Sequence, residues 1–485
     1  MVSRVLLSAP PLVALLATAL PAQPPAVSVE QMRRHIEVLA SDAFEGREPG
    51  TEGENKTLRY IAGQFQAIGL EPAAGDGDWY QPVPLVERKP FGHRALWASK
   101  GVPVEFDQKD AVFLGTDAQE TTRDAPVWFV GHALPEQLAG AELNGAVALV
   151  LYDAPEEAPG YSKRAEMLTK AGAVAVIAIM GDDIPWPAVT GSYRRGQTKL
   201  GTDGRAPITG AMALGAGQRL VRTGGGDVAR ADASDFKPVP LNLAASLDVS
   251  TQVRPYTSHN VIGRLRGSGN TGENVLYLGH WDHLGICRPE SAEDRICNGA
   301  VDNASGIAML IEIARAIADG RRPQRDLLFM GTTAEEMGLL GAEYFGANPT
   351  VPLESLVAAI NIDTVAIAGA GEPVAIVGRG TTPLDPLVDA TARELGRAVD
   401  TDTDANAFVQ RQDGWVLTRA GVPTVMVGGS FANMEVLEDF LSGPYHKPDD
   451  DLDRPLVLEG AAEDTELLIA LGRKLADPDQ YQPRR

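Results

Sequence analysis

Val275-Leu276-Tyr277-Leu278-Gly279-His280-Trp281-Asp282 is the stretch on which the fold turns, an apolar run without polar alternation that ends on an imidazole and a carboxylate. A strand with one wet face alternates apolar and polar residues, whereas a run apolar throughout belongs to a sheet covered on both sides. Residues 327–330, 357–362 and 424–427 have the same texture. Between the first two runs, Ile307, Leu310, Ile311, Ala314 and Ile317 recur at helical spacing, with Ser305 placed to cap that helix. Strands alternating with helices predict an α/β fold, a predominantly parallel or mixed central sheet between helices, over residues 248–480.

Working towards the N-terminus, residues 29–39 and 55–68 read as amphipathic helices joined by a loop through Gly46, Arg47, Pro49, Gly50 and Gly53. They are assigned, within 27–103, to the N-terminal part of the same domain. From 104 to 247 the texture changes to short runs rich in β-formers, at 125–130, 146–151 and 173–180, with a helical stretch at 162–171. This reads as an inserted β-rich module. Residues 366–373, mostly small, read as a connecting loop.

Of the 485 residues, 44% are hydrophobic and 22% charged, the balance of a folded globular chain with ample core material. A net charge of −22 argues against nucleic acid or an anionic membrane as partner, since both repel an acidic protein. Arg4, an apolar run at 5–20 and turn-prone small residues at 21–26 form the pattern of a secretory signal peptide over 1–22. Pro10 and Pro11 interrupt that run, and it is short for a membrane span. The expectation is a secreted or periplasmic protein, and Cys287 and Cys297 then favour a local disulfide. The rival for the two thiols is zinc, which would want two more Cys or His nearby.

Metal-capable side chains gather where the apolar runs end. His280 and Asp282 follow the first, Glu335 and Glu336 the second, and Asp363 the third, while Asp302 precedes the helix and His446 lies beyond the last strand. The carboxyl ends of strands in an open α/β sheet converge on one crevice. Carboxylates crowded there are costly unless cations neutralise them. Each motif alone has a plainer reading: a strand-end histidine, a solvated Glu-Glu pair, a helix cap at Asp302, a turn at Asp363 or at Tyr445-His446. Together, His280, Asp302, Glu336, Asp363 and His446 suit two zinc ions that share one carboxylate and one water. His35, His93, His132 and His259 lack partner motifs, and His283 is read as structural.

In this order His280-x-Asp282, Asp302-Asn303-Ala304-Ser305-Gly306, Glu335-Glu336, Asn361-x-Asp363 and Tyr445-His446 resemble the motifs of the bacterial leucyl aminopeptidase and aminopeptidase Y family, co-catalytic dizinc exopeptidases. The early Glu45-Gly46-Arg47-x-Pro49-Gly50-Thr51 resembles its N-terminal part, and residues 145–180 resemble a protease-associated domain. The resemblance implies peptide substrates and two Zn2+. It places His280 and Asp363 on one metal, Glu336 and His446 on the other, and Asp302 between them. It makes Glu335 the general base, Asp282 the carboxylate that orients His280, Tyr445 a donor to the oxyanion, and Arg411 a substrate contact. The sequence departs from the family at Arg411-Gln412-Asp413-Gly414, where relatives often have Ser-Asp-His after the arginine, and at Thr364, where they often have Met. Alternatives are a carboxypeptidase or dipeptidase on the same metal core, and a binding protein on an inactive peptidase fold. A cyclase acting on N-terminal glutamine would use a single zinc, against which the five-ligand set argues.

Overall fold

In the computed structural model, which describes residues 27–202, 204 and 206–483, the strand Asn274–His280 is buried at every position. The expected signal peptide lies outside the described residues. Asn274–His280 pairs in parallel with Asp326–Thr332 on one side and Leu356–Asn361 on the other. Leu356–Asn361 pairs in parallel with Thr424–Gly428, and Ala375–Val377 closes the edge antiparallel. The absence of polar alternation follows from two covered faces. On one face, Gly306–Ala318 packs with Val29–Leu39, Glu52–Ile68 and Leu458–Leu475. On the other, Phe345 and Leu417 pack against Leu276, Leu278, Leu328 and Met330. In register His280 faces Thr332 and Leu278 faces Asn361, so the carboxyl ends of the three strands finish within two residues of one another.

The helix that begins at Gly306 is not capped by Ser305, contrary to the sequence expectation. Residues 300–305 are already wound into a turn, Ser305 has helical φ and ψ of −65° and −42°, and its hydroxyl donates back to the Val301 carbonyl at 2.7 Å. The Asn303 side chain takes the capping role, accepting the Gly306 N–H at 3.0 Å. The second N-terminal helix starts at Glu52, a turn earlier than expected.

Two strands unforeseen in the sequence join the halves of the molecule. Tyr80–Ser99 runs antiparallel to Val239–Leu265, and the latter also pairs with Asp326–Thr332 and Gln119–Phe129. Val239–Leu265 therefore continues unbroken past residue 247, where the inserted segment was expected to end. Within that segment Gln119–Phe129, Val147–Leu151, Ala175–Ile179 and Ile208–Met212 are successive parallel neighbours, with helices Tyr161–Lys170 and Trp186–Arg195 between them in sequence. The segment is thus α/β in its own right. All of these strands belong to one mixed sheet, fifteen-stranded among the described residues. No helix among the described residues is long and apolar enough to cross a membrane. Cys287 and Cys297 form a disulfide that staples a small hairpin beside the carboxyl end of the Asn274–His280 strand.

Candidate metal centre

His280 ends its strand with Nε2 3.2 Å from Asp302 Oδ1, 3.6 Å from Asp363 Oδ1 and 4.0 Å from Glu335 Oε2. On the other side of Asp302, Oδ2 lies 3.3 Å from His446 Nε2, which is itself 2.8 Å from Glu336 Oε2. His280, Asp302 and Asp363 form one group close enough to hold a cation, and His283, Asp302 and Glu336 form a second. Asp302 is common to both. Side chains separated by more than 160 residues in sequence thus meet, because neighbouring strand ends and the loops after them open into one crevice.

Each donor is held by its surroundings. Asp302 sits in a loop whose Val301 and Asp302 N–H groups both donate to the Asp450 carboxylate at 3.0 Å. Its neighbour Asn303 ties the loop to the Asp363 segment by donating to the Ile362 carbonyl at 3.0 Å. The Glu335-Glu336 turn is fixed by Asn260, which accepts the Thr333 N–H and donates to the Gly341 carbonyl, each at 3.0 Å. Ala334, Thr364 and His446, each a donor's neighbour or a donor itself, adopt positive φ of 53°, 52° and 59°. Such conformations are unfavourable for non-glycine residues and persist only when the surrounding structure imposes them.

The Asp282 carboxylate does not reach His280 as expected. The Asp282 main-chain carbonyl is the group that meets His280 Nδ1, at 3.1 Å, while Oδ1 stays 3.8 Å away and accepts the Glu335 N–H at 3.1 Å. Asp282 therefore positions the Glu335 turn, and its backbone directs the imidazole. The Tyr445 ring lies flat on His446, with centroids 3.7 Å apart. Arg411 is on the exposed rim, its guanidinium over the Phe408 ring at 5.5 Å.

Burial governs the electrostatics. It raises Glu335 well above the usual carboxylate range, against the pull of His280, with Glu336 adding to the rise. It lifts Asp282 to about 7 and Asp413 and Asp450 to about 6. Burial opposes charge on His280 and His446, yet the surrounding carboxylates win. His280 is held well above its ordinary value by Glu335, Asp302 and Asp363, and His446 at about 10 by Asp302 and Glu336. Asp302 is buried, yet His280 and His446 hold it well below the usual range. For Tyr445, burial and then Asp302, Glu336 and Asp363 raise the phenol, so the hydroxyl keeps its proton.

The donor set passes a geometric test for cations. His283 Nδ1 and Glu336 Oε1 lie 2.6 Å apart and buried, yet neither makes an aligned hydrogen bond with any described residue. Two buried polar atoms this close and without a hydrogen bond are what a missing cation would leave, and imidazole with carboxylate suits zinc.

Four residues at the site escaped the sequence reading. His283, read as structural, packs its ring over Gly299, where a Cβ would collide with it. Asp413 accepts a hydrogen bond from the Thr332 hydroxyl. Asp450 holds the Asp302 loop. Arg47 is buried and donates to four carbonyls, those of Leu39, Trp281, Asn298 and Gly299. The family-like Glu45–Thr51 segment was the one available signal for Arg47.

Comparison with known proteins agrees with this geometry. Residues 260–470 match the model of peptidase family M28. The chain is 28% identical over 162 residues to an aminopeptidase, NAALADL1, of Mus musculus, covering 32% of this chain and 20% of that protein. It is 28% identical over 245 residues to a probable glutamate carboxypeptidase, LAMP1, of Arabidopsis thaliana, covering 49% of this chain and 33% of that protein. The chain thus spans a third or less of the length of these relatives. Among solved structures, an aminopeptidase from Aneurinibacillus sp. strain AM-1 superposes with a TM-score of 0.58 at 20% identity, covering 95% of this chain and 96% of that one. BSAP, a zinc aminopeptidase from Bacillus subtilis, superposes with a TM-score of 0.51 at 17% identity, covering 95% and 98%. Those two likenesses share the fold, and the segment 260–470 that matches the model of peptidase family M28 carries every metal-capable donor described above.

Proposed function

We propose that the chain is a zinc-dependent exopeptidase, an aminopeptidase that releases N-terminal residues from peptides. The observation that carries this reading is Asp302, whose two carboxylate oxygens each face a different imidazole, His280 at 3.2 Å and His446 at 3.3 Å. A carboxylate so placed is suited to bridging two cations. His280 and Asp363 would hold one zinc, Glu336 and His446 the other, with His283 a further donor beside Glu336. Two zinc ions bound there would supply Lewis acidity, lowering the pKa of a water and polarising the scissile carbonyl.

The chain's own groups do the rest. Glu335, buried and free of a coordinating role, accepts the proton of the attacking water and delivers it to the leaving amine. Tyr445 keeps its proton and donates to the oxyanion of the tetrahedral intermediate, where one aimed donor contributes about 3 kcal/mol. Arg411 on the rim contacts substrate. Residues 104–247 form a protease-associated module flanking the cleft. The disulfide supports export to an oxidising compartment.

A carboxypeptidase or dipeptidase would use the same donors, and the curated relatives include a probable glutamate carboxypeptidase as well as an aminopeptidase. The test is a panel of aminoacyl derivatives and of N-blocked peptides, assayed with and without a chelator. Chelator-sensitive release of N-terminal residues is expected. Cleavage restricted to N-blocked peptides would establish a carboxypeptidase instead, and no chelator-sensitive cleavage of any substrate would leave a binding protein.

A further inference from the structure

Beyond the metal donors, the crevice opens into a cavity of about 980 Å³ whose walls include Glu336, Met337 and His446. Its far wall is cationic, formed by Arg194, Arg195, Lys199 and Arg288. In a chain of net charge −22 this is an island of the opposite sign. None of the four has a carboxylate partner among the described residues. The carboxylates that share the cavity away from the metal donors are Glu48 and Glu87, and Glu87 is already committed to Lys89 at 2.6 Å and Arg254 at 2.9 Å.

The wall is built into the fold. Arg194 and Arg195 end the helix Trp186–Arg195, and the chain turns back through Gly196 at φ +87°. A Cβ at Gly196 would strike the Arg88 carbonyl and the Lys89 side chain, at 2.5 Å each, so the turn is seated directly against Tyr80–Ser99. The strand Gln197–Leu200 then pairs with residues 85–88, and Leu200 packs with Ala334, Met337 and Leu340 of the segment bearing Glu335 and Glu336. Arg288 arrives independently, one residue beyond Cys287 of the disulfide hairpin. Compensation of a helix dipole would account for Arg194 and Arg195 alone. It does not account for cations from a strand and a separate hairpin converging on the same space.

We propose that Arg194, Arg195, Lys199 and Arg288 form a carboxylate-binding subsite, so that the enzyme prefers peptides carrying a carboxylate on the part that leaves. The inference rests on the aminopeptidase reading, since only there does the remainder of the peptide extend from the metals on its leaving side. The carboxylate has two sources, the C-terminal α-carboxylate of a short peptide or an acidic side chain of a longer one. Guanidinium groups pair with either. A cationic wall in an otherwise repelling field also draws such substrates in, an effect that salt weakens.

The test uses the full chain and three tripeptides that share the N-terminal residue cleaved fastest in the aminoacyl panel: X-Ala-Ala free acid, X-Ala-Ala amide and X-Ala-Glu amide. At low ionic strength kcat/KM for at least one carboxylate-bearing peptide should exceed that for the X-Ala-Ala amide by about tenfold. The ratio should shrink at 0.5 M NaCl. In R194Q/R195Q, and independently in R288Q, it should fall towards unity, with circular dichroism confirming the fold. A gain for the free acid alone assigns the α-carboxylate, and a gain for the Glu amide alone assigns the side chain. Equal kcat/KM for all three peptides, or a preference undiminished in both variants, overturns the subsite while leaving the peptidase. Failure to cleave any of them overturns the peptidase reading and the subsite with it.

Discussion

The peptidase half and the inserted segment are built alike and used differently. Each has four parallel strands in a row, and at the carboxyl ends of each a buried arginine donates to four main-chain carbonyls. In the inserted segment it is Arg164, bonded to His132, Leu151, Tyr152 and Pro159. In the peptidase half it is Arg47, bonded to Leu39, Trp281, Asn298 and Gly299. The difference lies in what surrounds them. Near Arg164 are two tyrosines and Asp153, whereas Asp450, Asp302, Asp282 and Glu336 surround Arg47. Burial lowers the Arg47 pKa to about 10 against the pull of those carboxylates, so the guanidinium stays charged. The same backbone device is purely architectural in one half. In the other it also supplies one fixed positive charge to a crevice otherwise dependent on cations.

The sharpest way to separate the halves is at the proposed base. Glu335→Gln should lower kcat by about 10³-fold while zinc content is unchanged, read by steady-state assay and metal analysis. Next come the two arginines. Replacing either by Met leaves buried carbonyls without donors and should cost about 3 kcal/mol of folding stability, read by denaturant unfolding. Only Arg47→Met should also weaken zinc retention. If Arg164→Met weakened it equally, the contrast between the halves would be wrong. His283→Ala should loosen zinc by about 10-fold to 100-fold in a competition with a chelator, as loss of a donor or of its support does. The smallest effect is expected at Ser305→Ala, about 0.5 kcal/mol, because its hydroxyl bonds one carbonyl inside the turn. Asn303→Ala should cost more, since Asn303 both caps the helix and ties the Asp302 loop to Ile362.

What the sequence revealed, and what it hid, follows from how local each signal is. The strands around His280, Met330, Ile360 and Val425 were legible because full burial removes every polar residue from a short run. His280, Glu336 and Asp363 could be picked out because each follows such a run, and Asp302 because it precedes a helix, whereas His446, after the helix Met434–Ser442, had only its family-like motif to mark it. Tyr80–Ser99 was hidden: Pro82, Pro84 and Pro90 interrupt it, and its burial alternates at its two ends but not through its middle. Val239–Leu265 was divided at residue 247 because its first part faces the inserted segment and its last part the peptidase core. The roles of Arg47, Asp413 and Asp450 were not legible for another reason. Their partners are loop carbonyls, a threonine hydroxyl and loop N–H groups remote in sequence, and nothing in a residue's immediate neighbours announces a bond to a backbone more than 200 positions away, as for Arg47 and Trp281.

In the proposed function Asp302 joins two cation sites. Zinc per chain, measured by mass spectrometry of metals on folded wild type and on Asp302→Ala with matching circular dichroism, tests it most directly. Two zinc ions are expected in the wild type, with loss of tightly held zinc in the variant. A folded wild type that retains none, or a variant that keeps both, would contradict it.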